Sequence, residues 1–141
     1  MPPKVNNIAS RNVKSAKEME TLLMRALCDS MDDAKEYIAP DCAMINPFIS
    51  SEVLGRKPEE AQDRKQQPVL EALDRVKPLR GYQMDRDTVR VVEVDMMAVS
   101  ILYKGSFTTD DGRQHPVSVH STWRQNAGAD WLLCSQLVAP E

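Results

Sequence analysis

The chain has 141 residues, enough for one domain to bury a core without help from disulfides or a structural metal. Hydrophobic residues at 42% and charged residues at 28% give the balance of a folded globular protein, which excludes disorder and fibrous architectures. A formal net charge of −3, with 18 Lys and Arg scattered along the chain, provides no basic field for a phosphate backbone, so no nucleic acid partner is expected. The cysteines, Cys28, Cys42 and Cys134, are odd in number and lack a C-x-x-C pair, so reduced, mostly buried thiols are expected rather than a disulfide framework or a zinc ribbon. No stretch approaches the run of roughly 20 apolar residues that spans a bilayer, and the first residues lack the apolar core of a secretory leader. A cytoplasmic protein with no membrane partner is the expectation.

Residues 1–12 are polar, carry Pro2 and Pro3 and show no periodicity, which predicts a flexible tail ahead of a domain over 13–141. From residue 13 to 28, Ala16, Met19, Leu23, Ala26 and Leu27 recur at spacings of three and four. This predicts an amphipathic helix with Ser10 or Asn12 as N-cap and with Leu22 and Met24 widening its apolar face. A second short helix fits 33–39, capped by Asp32 or Ser30 and closed by Pro40. Residues 42–45 form a short apolar run ended by the turn signal Asn46-Pro47. Gly55 then precedes a polar third helix over 58–75, with Pro58 in its first turn, a thin stripe of Ala61, Val69, Leu70 and Leu73, and a bend or early end at Pro68.

After Pro78 the texture turns extended. Residues 89–94 are rich in Val, Asp95-Met96 forms a turn, and Met97, Val99, Ile101, Tyr103 and Phe107 make one apolar face. Asp110-Asp111-Gly112 is a hairpin turn leading to Val117, Val119, Ser121 and Trp123 at period two. Ala127-Gly128 turns the chain again before a last strand over 131–138. Helices followed by a run of strands make a segregated α+β domain. The opposite face of the strands, with Ala98, Ser100, Leu102, Thr122, Leu132 and Cys134, is too apolar for a fully wet surface and predicts a two-fold homodimer.

The string Asp41-Cys42-Ala43-Met44-Ile45-Asn46-Pro47, with Gly55 and a third helix after it, resembles the segment joining helices to strands in nuclear transport factor 2-like proteins. Ser121-Thr122-Trp123-Arg124, the Ala127-Gly128 turn and the string from Trp131 to Gln136 are similar to the closing hairpin of their SnoaL-like branch, which includes ketosteroid isomerases. The resemblance covers roughly residues 14–138 and implies a cone, a curved antiparallel sheet wrapped around three helices with a pocket at the open end. It also implies a homodimer through the convex face. It implies no cofactor, and a small apolar molecule as the ligand.

In the isomerases of this family the residue before the proline of the Asn46-Pro47 turn is an aspartate acting as base. An amide cannot accept that proton, so Asn46 is expected to bind a ligand or to start a turn, and the isomerase mechanism is disfavoured. The family's acidic hydrogen-bond donor aligns with Ser121, and its tyrosine on the first helix with Leu22 or Leu23. Tyr82, Tyr103, Trp123 and Gln136 complete the expected ligand-binding set with Asn46 and Ser121, the aromatics serving as walls with polar tips. Asp41 and His120 are the candidate catalytic residues, although alternation points His120 to the convex side with Thr122 and Arg124. Asp85 and Asp87 are weaker candidates in a charged, solvated run. His115 and His120 lie five apart without a third ligand, so no metal site is expected. Two functions follow: a cofactor-free isomerase, cyclase or dehydratase acting on an apolar metabolite, or a non-catalytic ligand-binding or dimerisation module of the same fold.

Overall fold

The computed structural model describes residues 4–60 and 62–141, with residues 4–9 as helical backbone alone. Helix α1 spans Lys4–Leu27, so it begins at Lys4 rather than at residue 13. Of the tail expected over 1–12, residues 1–3 lie outside the described residues. Ser10 and Asn12 are inside the helix and not at its cap. Asn12 donates instead to the Met96 carbonyl at 3.1 Å, tying the early part of α1 to the far end of the sheet. Ala16, Leu23, Met24 and Leu27 form the buried stripe, whereas Leu22 is 40% exposed.

Helix α2 is only Met31–Lys35, with Ser30 as N-cap accepting from the Asp33 amide at 3.4 Å. The predicted extension to Ala39 gives way to strand β1, Ile38–Ile45. Pro40 disfavours helical geometry at Ala39, and the Leu133 amide is available to bond the Tyr37 carbonyl at 2.8 Å. The predicted third helix is split into a 3-10 turn at Pro58–Glu60 and helix α3, Pro68–Leu73. Ala61, one of its expected apolar positions, lies outside the described residues. Pro68 opens α3 because a residue without an amide donor fits the first helical position and not an interior one.

Four antiparallel strands follow: β2 Gly81–Asp95, β3 Ala98–Thr108, β4 Gln114–Gln125 and β5 Trp131–Pro140. Their order is β1-β5-β4-β3-β2, with β1 parallel to β5. The β2–β3 turn falls at Met96 and Met97, where Asp95 Oδ1 accepts the Met97 amide at 2.7 Å. Met97 is therefore 44% exposed and not on the apolar face. Gly112 supplies the positive φ of the next turn, and in the last one the left-handed residue is Ala129, φ 67°, held by Asn126 Oδ1.

On β3 and β4 the alternation is as expected. Val99, Ile101, Tyr103, Phe107, Val117, Val119, Ser121 and Trp123 all face inward and are buried. Helix α1 lies against this concave face and packs on β2 and β3, so whatever α1 presents inward meets the middle of the sheet.

Candidate functional site

What α1 presents there is a carboxyl. Glu20 follows Ala16 by four residues and precedes Leu23 by three, which places it in the middle of the apolar stripe, and it is 0% exposed. Burying an ionisable group among hydrocarbon is costly unless it is hydrogen-bonded. Three donors from the sheet meet it. Tyr103 Oη lies 2.6 Å and Ser121 Oγ 3.0 Å from its Oε2, and Trp123 Nε1 lies 2.9 Å from its Oε1. Burial pushes the Glu20 carboxyl above the usual carboxylate range, and the bonds from Tyr103, Trp123 and Ser121 pull against that shift. A carboxyl held this way is a proton donor or acceptor far better matched to neutral pH than an exposed one.

The cluster extends through the sheet. Gln136 Nε2 donates to Ser121 Oγ at 3.1 Å, and Asn46 Nδ2 donates to Gln136 Oε1 at 3.4 Å. Asn46 Oδ1 accepts the Phe48 amide at 3.0 Å, so Asn46 does start a turn with its own side chain while its other end reaches into the interior. Phe48 then packs edge-on against Phe107, 5.0 Å between centroids, and against His115 at 5.3 Å. Tyr82 leans on Phe107 at 6.0 Å. Its hydroxyl is buried beside the Tyr103 phenol, with no close hydrogen bond among the described residues, and burial pushes its phenol well up. Burial also raises the Tyr103 phenol, with the Glu20 charge adding to the effect.

Of the residues expected from sequence to meet a ligand, Asn46, Tyr103, Ser121, Trp123 and Gln136 come together in this one network, with Tyr82 nearby. Asp41 and His120 do not join it. Asp41 is exposed and ion-paired with Arg124 at 3.0 Å. His120 faces outward between Leu102 and Leu137, beside a shallow convex-face groove also lined by Thr88, Lys104 and Ser118. Asp85 and Asp87 are exposed on β2, where Asp85 Oδ1 accepts the Asp87 amide at 3.2 Å. His115 is half-buried and within 3.1 Å of the Thr109 hydroxyl. Sequence reasoning missed Glu20. The signal was an acid inside a stripe of apolar residues at helical spacing, where a solvated Glu has no place. Burial raises the Cys28 and Cys134 thiols and takes Cys42 up to about 12, which disfavours the thiolate form.

A curved, unclosed five-stranded sheet around three helices is also what known structures show. An NTF2-like protein from Rhodospirillum rubrum superposes with a TM-score of 0.66 at 16% identity, covering 89% of this chain and 97% of that one. The chain has the nuclear transport factor 2-like fold. This cone is shared with a candidate scytalone dehydratase from Novosphingobium aromaticivorans, TM-score 0.66, 10% identity, 96% of this chain and 88% of that one. It is shared too with the association domain of C. elegans CaMKII, TM-score 0.62, 12% identity, 95% and 98% covered. No protein-family model matches the sequence, and no curated protein matches it. Identities this low establish the fold, and the chemistry of this cone rests on its own residues.

Proposed function

We propose that this chain is a small-molecule pocket protein of SnoaL-like type in which Glu20 is the acid–base group of a cofactor-free isomerisation or dehydration of an apolar metabolite. The observation that carries the reading is the Glu20 carboxyl, 0% exposed on α1 and met by Tyr103, Ser121 and Trp123 from the sheet. As a carboxylate it would take a proton from a carbon next to a carbonyl. As an acid it would give one to a departing hydroxyl, which leaves as water. The Tyr82 phenol, next to Tyr103, adds a second hydroxyl on the inner face beside the carboxyl. The base that Asn46 cannot be is thus supplied from the helix.

A second reading, a non-catalytic module, is favoured by a different observation. Both Glu20 oxygens are partnered, and Trp123, Phe107, Leu23 and Met24 fill the interior around them. In both readings the convex face pairs with a second copy of the chain, since Leu102, Leu137 and Ile45 are 38%, 44% and 45% exposed on it.

The test is a panel of small cyclic ketones and hydroxylated aromatics, screened for thermal stabilisation and turnover with the natural protein and with Glu20→Gln. Turnover by the natural protein that Glu20→Gln abolishes supports the acid–base role. Equal stabilisation of both proteins without turnover supports the module, and turnover unaffected by Glu20→Gln sinks the assignment of Glu20.

A further inference from the structure

The network around Glu20 has a direction. The Phe48 amide is a backbone donor and cannot reverse, so the Asn46 atom it meets at 3.0 Å is the carbonyl oxygen, Oδ1. That leaves the Asn46 amide nitrogen to face Gln136, and Gln136 answers with Oε1 at 3.4 Å. The Gln136 nitrogen then faces Ser121 Oγ at 3.1 Å and fills an acceptor position of that hydroxyl. The serine proton has one direction left, toward Glu20 Oε2 at 3.0 Å. Every bond donates the same way, from the turn after β1, through β5 and β4, to the carboxyl on α1.

We infer that Asn46 and Gln136 are positioning residues that set the proton affinity of Glu20 by forcing the Ser121 hydroxyl to donate to it. The inference rests on the reading of Glu20 as the acid–base group for its functional meaning, but the relay itself is a statement about one carboxyl. An amide is suited to this work where a carboxylate is not. Asn46 is at once an acceptor for the backbone and a donor to Gln136, and a carboxylate offers only acceptors. The Asn that replaces the expected aspartate is therefore no vestige, because it fixes the polarity of a chain ending on a different acid. The other groups facing Glu20 are Trp123, a donor only, and the phenols Tyr103 from β3 and Tyr82 from β2. These phenols are the titratable neighbours, and burial keeps both protonated at neutral pH.

The experiment follows the Glu20 carboxyl by carbon-detected NMR in protein labelled at glutamate side chains, with Glu20→Gln identifying the resonance. Gln136→Leu frees the serine proton to turn away and should tighten proton binding by Glu20 about tenfold, the size of one lost bond to a charged group. Asn46→Asp should act in the same direction. A carboxylate there draws the Gln136 nitrogen to itself, presents Oε1 to Ser121 and pulls the serine proton off Glu20. In a Ser121→Ala background Asn46→Ala should add nothing, because the last link is already gone. Titrations of Gln136→Leu and Asn46→Asp that coincide with that of the natural protein, in variants that still unfold cooperatively, overturn the relay. So does an undiminished effect of Asn46→Ala after Ser121→Ala. Loss of the relay leaves the turnover test of Glu20→Gln untouched, so the two ideas fail separately.

Discussion

Two neighbouring rows of the sheet, one residue apart on every strand, have opposite characters. The inner row runs Val91, Ile101, Ser121, Gln136 and Met44 across the five strands, and the outer row runs Arg90, Leu102, His120, Leu137 and Ile45. The inner row places two uncharged polar residues at its centre, buried, where helix α1 supplies an acid for them to bond. The outer row places its one imidazole among exposed aliphatics, on the face turned away from the Glu20 network. Alternation alone separates a site that can hold a proton in a defined geometry from a surface suited to a flat, apolar contact. A histidine is the more obvious chemical candidate by type, yet here position outranks type.

The sharpest way to break this comparison is to remove the large aromatic beside the inner row, on the same face, that also bonds the acid. Trp123→Ala should destabilise the protein by about 3–5 kcal/mol, the cost of deleting a large buried aromatic, and it also takes a donor from Glu20. Chemical denaturation measures it, and an unchanged midpoint would place Trp123 outside the core. Next comes Glu20→Ala, which leaves Tyr103, Ser121 and Trp123 facing a void. A loss on the order of 3 kcal/mol at neutral pH is expected from the stranded donors.

Glu20→Gln separates charge from shape. Burial raises the folded-state pKa of Glu20, so the native state holds its proton more tightly than the unfolded chain. Its contribution to stability is complete below the ordinary value of 4.5 and declines as pH rises through the raised folded-state value. The amide keeps the shape and cannot ionise, so the stability of Glu20→Gln should lack this decline. A decline of equal size in both proteins, followed by urea unfolding over that range, would assign it to another group.

The outer row should respond in assembly and hardly at all in folding. Leu102→Glu together with Leu137→Glu should convert a dimer into a 15.9 kDa monomer in sedimentation while leaving the fold intact. A natural protein already monomeric at micromolar concentration removes the proposed interface. The smallest effects belong to His120→Ala and Asp41→Ala, both exposed and outside the Glu20 network, each expected within about 0.5 kcal/mol of the natural stability. Loss of turnover in either would return it to the list of catalytic candidates.

Much of this was legible in the chain itself. Period-two alternation placed Tyr103, Ser121 and Trp123 on one buried face and His120 on the other, because successive side chains of an unbulged strand point to opposite faces. The order of helices before strands pointed to a segregated α+β domain, and the cone followed from the resemblance carried by the Asp41–Pro47 string and the closing hairpin from Ser121 to Gln136. Helix and strand boundaries were less legible where prolines stood. Pro40 and Pro68 announce that a helix cannot run through them, but whether the chain then starts a strand or a new helix depended on β5 and on the packing of α3.

Two things were decided only in three dimensions. Glu20 lies some 80 to 100 residues from the donors that make its burial tolerable, with separations of 83 to Tyr103, 101 to Ser121 and 103 to Trp123. Periodicity could flag the acid as misplaced but could not say what it meets. The parallel pairing of β1 with β5 brings Asn46 to Gln136 across 90 residues, and no local pattern encodes that partnership. Composition and spacing report how a segment presents its side chains, which is a local property of the backbone. Proton affinity and hydrogen-bond direction belong to groups brought together from distant segments, and in this chain only the closing of the sheet around α1 does that.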